Sequence, residues 1–267
     1  MVSKILSAPT LIVCLAGASF ADGGAEMEIS SLFGNPSLGE YAERVSASAG
    51  ADYESEYVFR GKQLAKSVIC PGVDISYTFK DGLAGYIGWW GCYSTDGFGY
   101  GENDLYAGMR CNAGNLGIDL GYTAYTYTSD NTTCENEIKL KFDYDTSEFL
   151  GDFAVNPFVA GYYNFTYEGK TLEFGIAYSA PISKWILSEN WGSIDISAFG
   201  GAAHYDAGMA DGGYMYAGVS ADLSVKLTDF WTLSVGVRYA TNDNGSYAAV
   251  AGRENNVWYS AKTSFGF

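Results

Sequence analysis

Past residue 21 this chain has no apolar run approaching the ~20 residues that a membrane helix needs. Any passage through a bilayer must therefore use strands closed into a barrel, because hydrocarbon offers an open backbone edge no hydrogen-bond partner. Proline is scarce, 5 residues against 34 glycines and 22 tyrosines, which excludes a linker-rich or disordered chain and suits many amphipathic strands. Histidine occurs once, and the 5 cysteines contain no Cys-x-x-Cys, so no metal set of the usual kind can be assembled. Positive charge is also short. There are 15 Lys and Arg against 31 Asp and Glu, a balance that argues against nucleic acid and anionic lipid as partners.

The first 21 residues read as a cleaved export signal. Lys4 supplies the positive start, Leu11-Ile-Val-Cys-Leu-Ala-Gly-Ala18 the apolar centre and Ser19-Phe-Ala21 the small-residue cleavage site. A lipoprotein would need a small residue before Cys14, where Val13 stands. The mature chain is expected to start at Asp22, with 22–44 an N-terminal periplasmic segment and 45–267 the folded domain. Cleavage removes one lysine and no acid, so the net charge becomes 14 − 31 = −17.

Alternation then dominates. Twelve segments of period two are expected at 45–60, 68–79, 83–93, 104–113, 116–127, 135–146, 155–166, 170–180, 193–204, 214–227, 230–240 and 256–267. Tight turns (Lys80-Asp-Gly82, Ala113-Gly-Asn115, Leu227-Thr-Asp229) alternate with polar loops at 94–103, 128–134, 205–213 and 241–255. Short turns on one side and long loops on the other are the asymmetry of outer-membrane barrels. Glu168-Gly169 is short for an external loop, and 181–192 is long for a periplasmic turn. On 135–145, Ile138, Leu140, Phe142 and Tyr144 oppose a wholly charged face; on 214–227, Met215 to Leu227 oppose Ser220, Asp222, Ser224 and Lys226. A soluble barrel would carry the same pattern turned inside out.

Two features favour the membrane: the export signal and the last strand. There, Val257, Tyr259, Ala261, Thr263, Phe265 and Phe267 share one face, and Trp258, Ser260, Lys262, Ser264 and Gly266 share the other. This strand resembles the C-terminal assembly signal of Gram-negative outer-membrane proteins. The resemblance implies that Tyr259, Phe265 and Phe267 address the barrel-assembly machinery, and an even strand count puts Phe267 on the periplasmic side. Aromatics near strand ends (Tyr77, Phe79, Trp89, Tyr93, Tyr144, Phe165, Tyr178, Trp231, Tyr239) suit interfacial girdles against outer-membrane lipid. The expected fold is all-β: a transmembrane antiparallel up-and-down barrel of about twelve strands.

A second resemblance lies nearer the N-terminus. Tyr53-Glu-Ser-Glu-Tyr-Val-Phe-Arg-Gly61 is followed by Pro71-Gly-Val-Asp-Ile-Ser-Tyr77, then Gly85-Tyr-Ile-Gly-Trp-Trp-Gly91, then Glu102-Asn-Asp-Leu-Tyr-Ala-Gly108. Over residues 45–110 this order resembles the TorF-type family of Gram-negative outer-membrane porins, in which a Ser-x-Tyr-x-Phe/Trp-Arg-Gly strand comes first. The resemblance implies a porin-like barrel and names no solute.

Ionisable residues at lumen parity are the pore-lining candidates: Asp52, Glu54, Glu56, Arg60, Asp74, Asp104, Arg110, Asp119, Glu137, Lys139, Lys141, Asp143, Glu173, Asp195, Asp222, Lys226, Arg238 and Lys262. Such a lining either sorts solutes or stiffens the wall with ion pairs. Glu54, Glu56 and Arg60 share a face of the first strand and could form a constriction, or Arg60 could simply pair with Glu56. Twelve strands lie between the 8 that enclose only side chains and the 16–18 that leave a wide channel. Tyr86, Trp90, Tyr106 and Tyr125, also at lumen parity, would narrow it further.

Cys70 and Cys92 are equidistant from Asp81 in their hairpin, share lumen parity and lie at the outer ends of their strands. A bridge between them is expected in an exported protein, although directly opposed residues leave little room for relaxed geometry. Cys111, at a periplasmic strand end, and Cys134, in an external loop, should stay apart.

Enzymatic chemistry finds little support. His204 and Ser197 lie on opposite faces of one strand, so no catalytic pair forms. No helix follows Gly97-Phe-Gly-Tyr-Gly101, which reads as a loop and not a phosphate cradle. Asp206, Asp211 and Asp243 read as solvated acids before calcium ligands. No catalytic residue, metal or cofactor is expected. The function expected is a porin-like channel for small solutes or ions, weakly cation-preferring because acids outnumber bases in the lining and in the external Asp96, Glu102, Asp130, Asp206, Asp211 and Asp243. The alternative is a non-conducting barrel whose acidic loops bind a partner or serve a structural role.

Overall fold

A computed structural model describes residues 43–97, 99–128, 134–182, 191–206, 212–243 and 254–267. The expected signal peptide, nearly all of the segment 22–44, Asp130 and Asp211 lie outside the described residues. The strands are β1 (Val45–Phe59), β2 (Lys62–Lys80), β3 (Leu83–Ser94), β4 (Gly101–Ala113), β5 (Leu116–Tyr127) and β6 (Cys134–Tyr144). They continue as β7 (Val155–Asn164), β8 (Gly169–Pro181), β9 (Gly192–Tyr205), β10 (Gly212–Lys226), β11 (Trp231–Asn242) and β12 (Asn255–Gly266). Each pairs antiparallel with its neighbours in sequence, and β12 pairs with β1 to close the barrel. The closing seam starts at the C-terminus, where Ala47 and Phe267 exchange both backbone hydrogen bonds, 2.9 and 2.7 Å.

Alternation puts every second side chain on one face of a strand, and here the faces sort by polarity in the sense of a membrane protein. Outward residues are apolar and open: Ile87 is 61% exposed, Leu105 62% and Val235 56%. Inward residues include Lys141 and Glu173, both fully buried. A soluble barrel would reverse this arrangement. The fold is therefore the expected twelve-stranded transmembrane barrel. Girdle aromatics pair up near the closing seam, Trp231 stacking on Phe265 at 5.7 Å and Phe230 on Phe267 at 6.4 Å.

Three of the boundaries that differ from the sequence reading bear on the lumen and its cysteines. The polar stretch 61–67 is not a connection: β2 starts at Lys62, and only Arg60 and Gly61 make the turn. Their φ values of 48° and 76° are the left-handed pair of a two-residue hairpin turn. A side chain at Gly61 would meet Thr241 O and Tyr216 Cβ at 2.8 Å. Glu102, expected in an external loop, is a buried inward residue of β4. Cys134 opens β6 and does not lie in a loop. In each case the ladder runs past the glycine and polar signals that suggested its end, because strand pairing satisfies the backbone whatever the side chains are.

At the end of the barrel where β1 starts and β12 ends, 145–154 is a longer connection carrying the short helix α1 (Ser147–Leu150) and a 3-10 turn at Gly151–Phe153. Phe149 on it stacks against Tyr144 at 6.5 Å.

Candidate channel lumen

The lumen candidates stand at inward positions of their strands, except Arg60, which occupies the first turn and points into the barrel mouth. Its guanidinium makes a two-pronged contact with Glu137 of β6, at 2.8 and 3.0 Å. It also lies over the rings of Phe59 and Tyr162, 4.7 and 4.6 Å from their centroids. Tyr125 donates to the same carboxylate at 3.1 Å. The expected alternative, an Arg60–Glu56 pair, is replaced by a contact across 77 residues; in the ladder Glu56 is opposite Lys66 instead. Burial opposes the charge of Arg60, but the Glu137 carboxylate outweighs it and holds the guanidinium well above its ordinary pKa.

The whole outer end of the β1–β2 hairpin follows Arg60 inward. Gly61 O accepts from Asn242 Nδ2 at 2.7 Å and from Asn256 Nδ2 at 3.4 Å. Lys62 Nζ sits 3.9 Å from the Tyr214 ring centroid. Val58 packs on Ala240 and Trp258. On the opposite side Tyr57 meets Trp90 and Tyr100, at 5.6 and 5.7 Å between rings. The hairpin end thus stands inside the outer mouth, wedged between the β3–β5 wall and the β10–β12 wall. Trp90, Tyr106 and Tyr125, read as narrowing residues, line this same region.

Below the hairpin the lining forms separate networks. Arg238 contacts Asp222 at 3.1 Å, Glu54 at 4.0 Å and the Ser260 hydroxyl; Trp258 donates to Glu54 at 3.1 Å. Asp52 is opposite Lys262 in the ladder. Asp119 gathers Lys139 at 2.9 Å, Arg110 at 3.6 Å and the Tyr86 hydroxyl at 2.7 Å. Lys141 reaches Asp143 at 3.9 Å and lies 5.0 Å from the Phe158 ring centroid. Tyr106 donates to Asp74, and Tyr216 donates to Glu173 at 2.8 Å. Asp195 accepts from Ser179, Ser193 and Ser224 at 2.6, 3.0 and 2.9 Å. Asp104 is buried opposite Trp90 and Tyr125, while Lys226 is exposed at the end of β10.

The sequence reading missed Lys62 and Glu102 as lumen groups, and it placed Glu135 on the charged face of 135–145 without naming it among the pore-lining candidates. Carrying the alternation of β2 six residues and that of β4 two residues further outward would have found the first two. It placed Ser220 and Ser224 on the polar face of 214–227 but did not name them in the lining, where they form the Ser197–Ser220 and Ser224–Ser234 pairs, both 2.9 Å. Small hydroxyls carry no charge signal.

A disulfide joins Cys70 to Cys92 across β2 and β3, just below the inward-turned hairpin end; Cys111 and Cys134 are free and exposed. His204 is exposed at the outer rim, 2.8 Å from Asp206, which also takes Lys170 at 2.7 Å, whereas Ser197 points inward. Asp243 accepts from the Met215 amide at 3.0 Å. Among the described residues no group of three or more His, Cys, Asp or Glu is arranged to hold a metal ion.

No family model and no curated protein matches the sequence. Solved structures do match. The COG4313 outer membrane channel from Pseudomonas putida F1 is 11% identical, with a TM-score of 0.54 over 94% of this chain and 100% of that one. The NanC porin is 9% identical, with a TM-score of 0.50 over 82% of this chain and 98% of that one. At such identities the likeness is one of fold: a closed outer-membrane barrel.

Proposed function

We propose that the chain is a porin-like outer-membrane channel for passive diffusion of small solutes or ions, weakly cation-preferring. One observation carries this reading: a closed barrel of twelve strands with an apolar outer face encloses a charged lining that keeps partial access to water. Arg110 remains 49% exposed although it points inward. The fold likeness to an outer membrane channel and a porin supports it, as does the resemblance of residues 45–110 to TorF-type porins.

Acids outnumber Lys and Arg in this lining, and Glu102 and Glu135 add to them. A narrow, low-dielectric passage lined this way concentrates cations and repels anions, within a Debye length of ~8–10 Å at moderate salt. Residues 1–21 then serve as export signal and 22–44 as a periplasmic segment, while Tyr259, Phe265 and Phe267 supply the assembly signal on β12.

Planar-bilayer recording of the refolded mature protein tests the reading. The expected result is steady conductance with a reversal potential towards the cation side that shrinks as salt rises. An anion preference at low salt would refute the electrostatic part. Absence of conductance would favour the second reading, a closed barrel with a structural or partner-binding role, which the filling of the outer mouth by the hairpin also supports.

A further inference from the structure

The two most exposed large apolar side chains among the described residues are not on the barrel wall. Phe153 is 76% exposed and Phe149 71%, more than any on a strand, and Leu150 between them is 47% exposed. All three belong to the connection 145–154 between β6 and β7, whereas Asp81-Gly82 and Gly114-Asn115 turn in two residues at the same end. The connection is firmly built. The Thr146 hydroxyl closes its neck, donating to Val155 O at 2.6 Å and accepting from the Val155 amide at 3.0 Å. Asp145 Oδ1 accepts from the Ser147 amide at 2.8 Å, and the Phe149 and Leu150 amides donate to Thr146 O at 3.0 and 2.9 Å. Past the neck it stands clear of the barrel, since a Cβ added at Gly151 would meet no atom within 4 Å. Folding thus orders a turn that bares three large apolar side chains, an unfavourable outcome unless something covers them.

What covers them follows from the surface they continue. Phe149 stacks on Tyr144 with ring planes 20° apart. Tyr144 is an outward residue of β6, in line with the exposed Ile138, Leu140 and Phe142. The turn therefore extends the lipid-facing stripe of β6 past the end of the strand. Its charge narrows the choice of lipid. Residues 145–154 hold three acids, Asp145, Glu148 and Asp152, and no Lys or Arg. Attraction to an anionic surface is thus absent, and contact must come from the apolar side chains. Such segments settle at the boundary between acyl chains and headgroups, where aromatic rings of membrane proteins concentrate.

We propose that the β6–β7 connection is an interfacial anchor: Phe149, Leu150 and Phe153 enter the acyl–headgroup boundary of zwitterionic phospholipid beside the barrel and fix the depth of the β6–β7 sector. The anchor requires a barrel in a membrane and is independent of whether that barrel conducts.

Spin-label accessibility tests it in a Cys111→Ser/Cys134→Ser background, refolded as the mature protein into phosphatidylcholine vesicles. A nitroxide on Phe153→Cys should collide with oxygen, relative to a water-soluble nickel chelate, several-fold more than one on Asp81→Cys in the exposed tight turn at the same end. Its ratio should fall between that site and the lipid-facing Ile87→Cys, and added salt should leave it unchanged. Leu150→Cys, which keeps both rings, should give the same order. A ratio at both Phe153→Cys and Leu150→Cys equal to that at Asp81→Cys would place the turn in water and overturn the anchor. Shielding of both positions from oxygen and chelate alike would also overturn it, because a second copy or another protein would then cover the turn in place of lipid.

Discussion

At the outer mouth, the side chains of Arg60 and Glu137 are 4% and 5% exposed; around Asp119, lower in the lumen, Lys139 is 22% and Arg110 49% exposed. Both sites hold cations against a carboxylate, and both read identically in the sequence, as charges at lumen parity. Their physics differs. A pair taken out of water must recover several kcal/mol of lost hydration per ion, which only near-ideal, fully hydrogen-bonded geometry can do. Arg60 meets most of that condition with two parallel N–H donors on one carboxylate, to which Tyr125 adds a third donor, while the buried Arg60 Nε finds no hydrogen-bond partner among the described residues. The Asp119 cluster keeps water, so its charges are screened and remain available to a passing ion. Where the wall is dry, charge holds structure together; where it is wet, charge can sort solutes.

The largest effect expected from this contrast is at the mouth. Glu137→Gln leaves a buried guanidinium without its counter-charge, and about 3–5 kcal/mol of barrel stability should be lost. Denaturant titration of the folded protein in detergent micelles reads it. Replacing both partners, Arg60→Met with Glu137→Met, should cost less than the single change, because no orphaned charge remains. A double variant as unstable as the single one would break the comparison, since the site would then need its charges for more than mutual compensation.

A smaller effect is expected at Asp119. Asp119→Asn should cost about 1 kcal/mol or less, in the range of partly solvated ion pairs. It should lower cation preference measurably, because Arg110 and Lys139 are left unbalanced in a wet stretch. An unchanged reversal potential at low salt would show that ions do not pass this cluster.

The smallest effect belongs to the outer rim, where Lys170 and Asp206 pair at 2.7 Å with side chains 64% and 36% exposed. The hydrogen bond from Lys170 holds the Asp206 carboxyl below its ordinary pKa. A lowered carboxylate pKa adds stability above the unfolded-state value, which is lost only as pH falls through the lowered one. Asp206→Asn should therefore lower the melting temperature only slightly, and by the same small amount from pH 7 to about pH 5, a window above the ordinary Asp range in which an exposed pair contributes little. A clear drop in that window would assign the rim a role that its exposure argues against.

Much of the barrel was legible before any coordinates. The charged face of 135–145 is the inward face of β6, and the symmetric placement of Cys70 and Cys92 about Asp81 anticipated their bridge, because hairpin register is a local property set by the turn. Strand ends were read less well. Residues 62–67 and Glu102 looked like loop, since side-chain cues mark where turns are tolerated and not where backbone pairing stops. The mouth was misread for a different reason. Arg60 and Glu56 are neighbours in sequence, and nothing local says that Arg60 will pass over Glu56 to a partner on β6.

By itself, the sequence determined the class of this protein. A period of two assigns each residue to a face, and polarity assigns the faces to lipid and lumen. The chain has no other way to cross a bilayer once helices are excluded. Only the tertiary structure decided which lumen charges are dry and which are wet, and whether the first hairpin ends in the wall or in the mouth. Those outcomes depend on β6, β10, β11 and β12 arriving around the hairpin. Barrel closure brings them there, and with it comes the desolvation that turns an ordinary Arg–Glu pair into the clasp of the outer mouth.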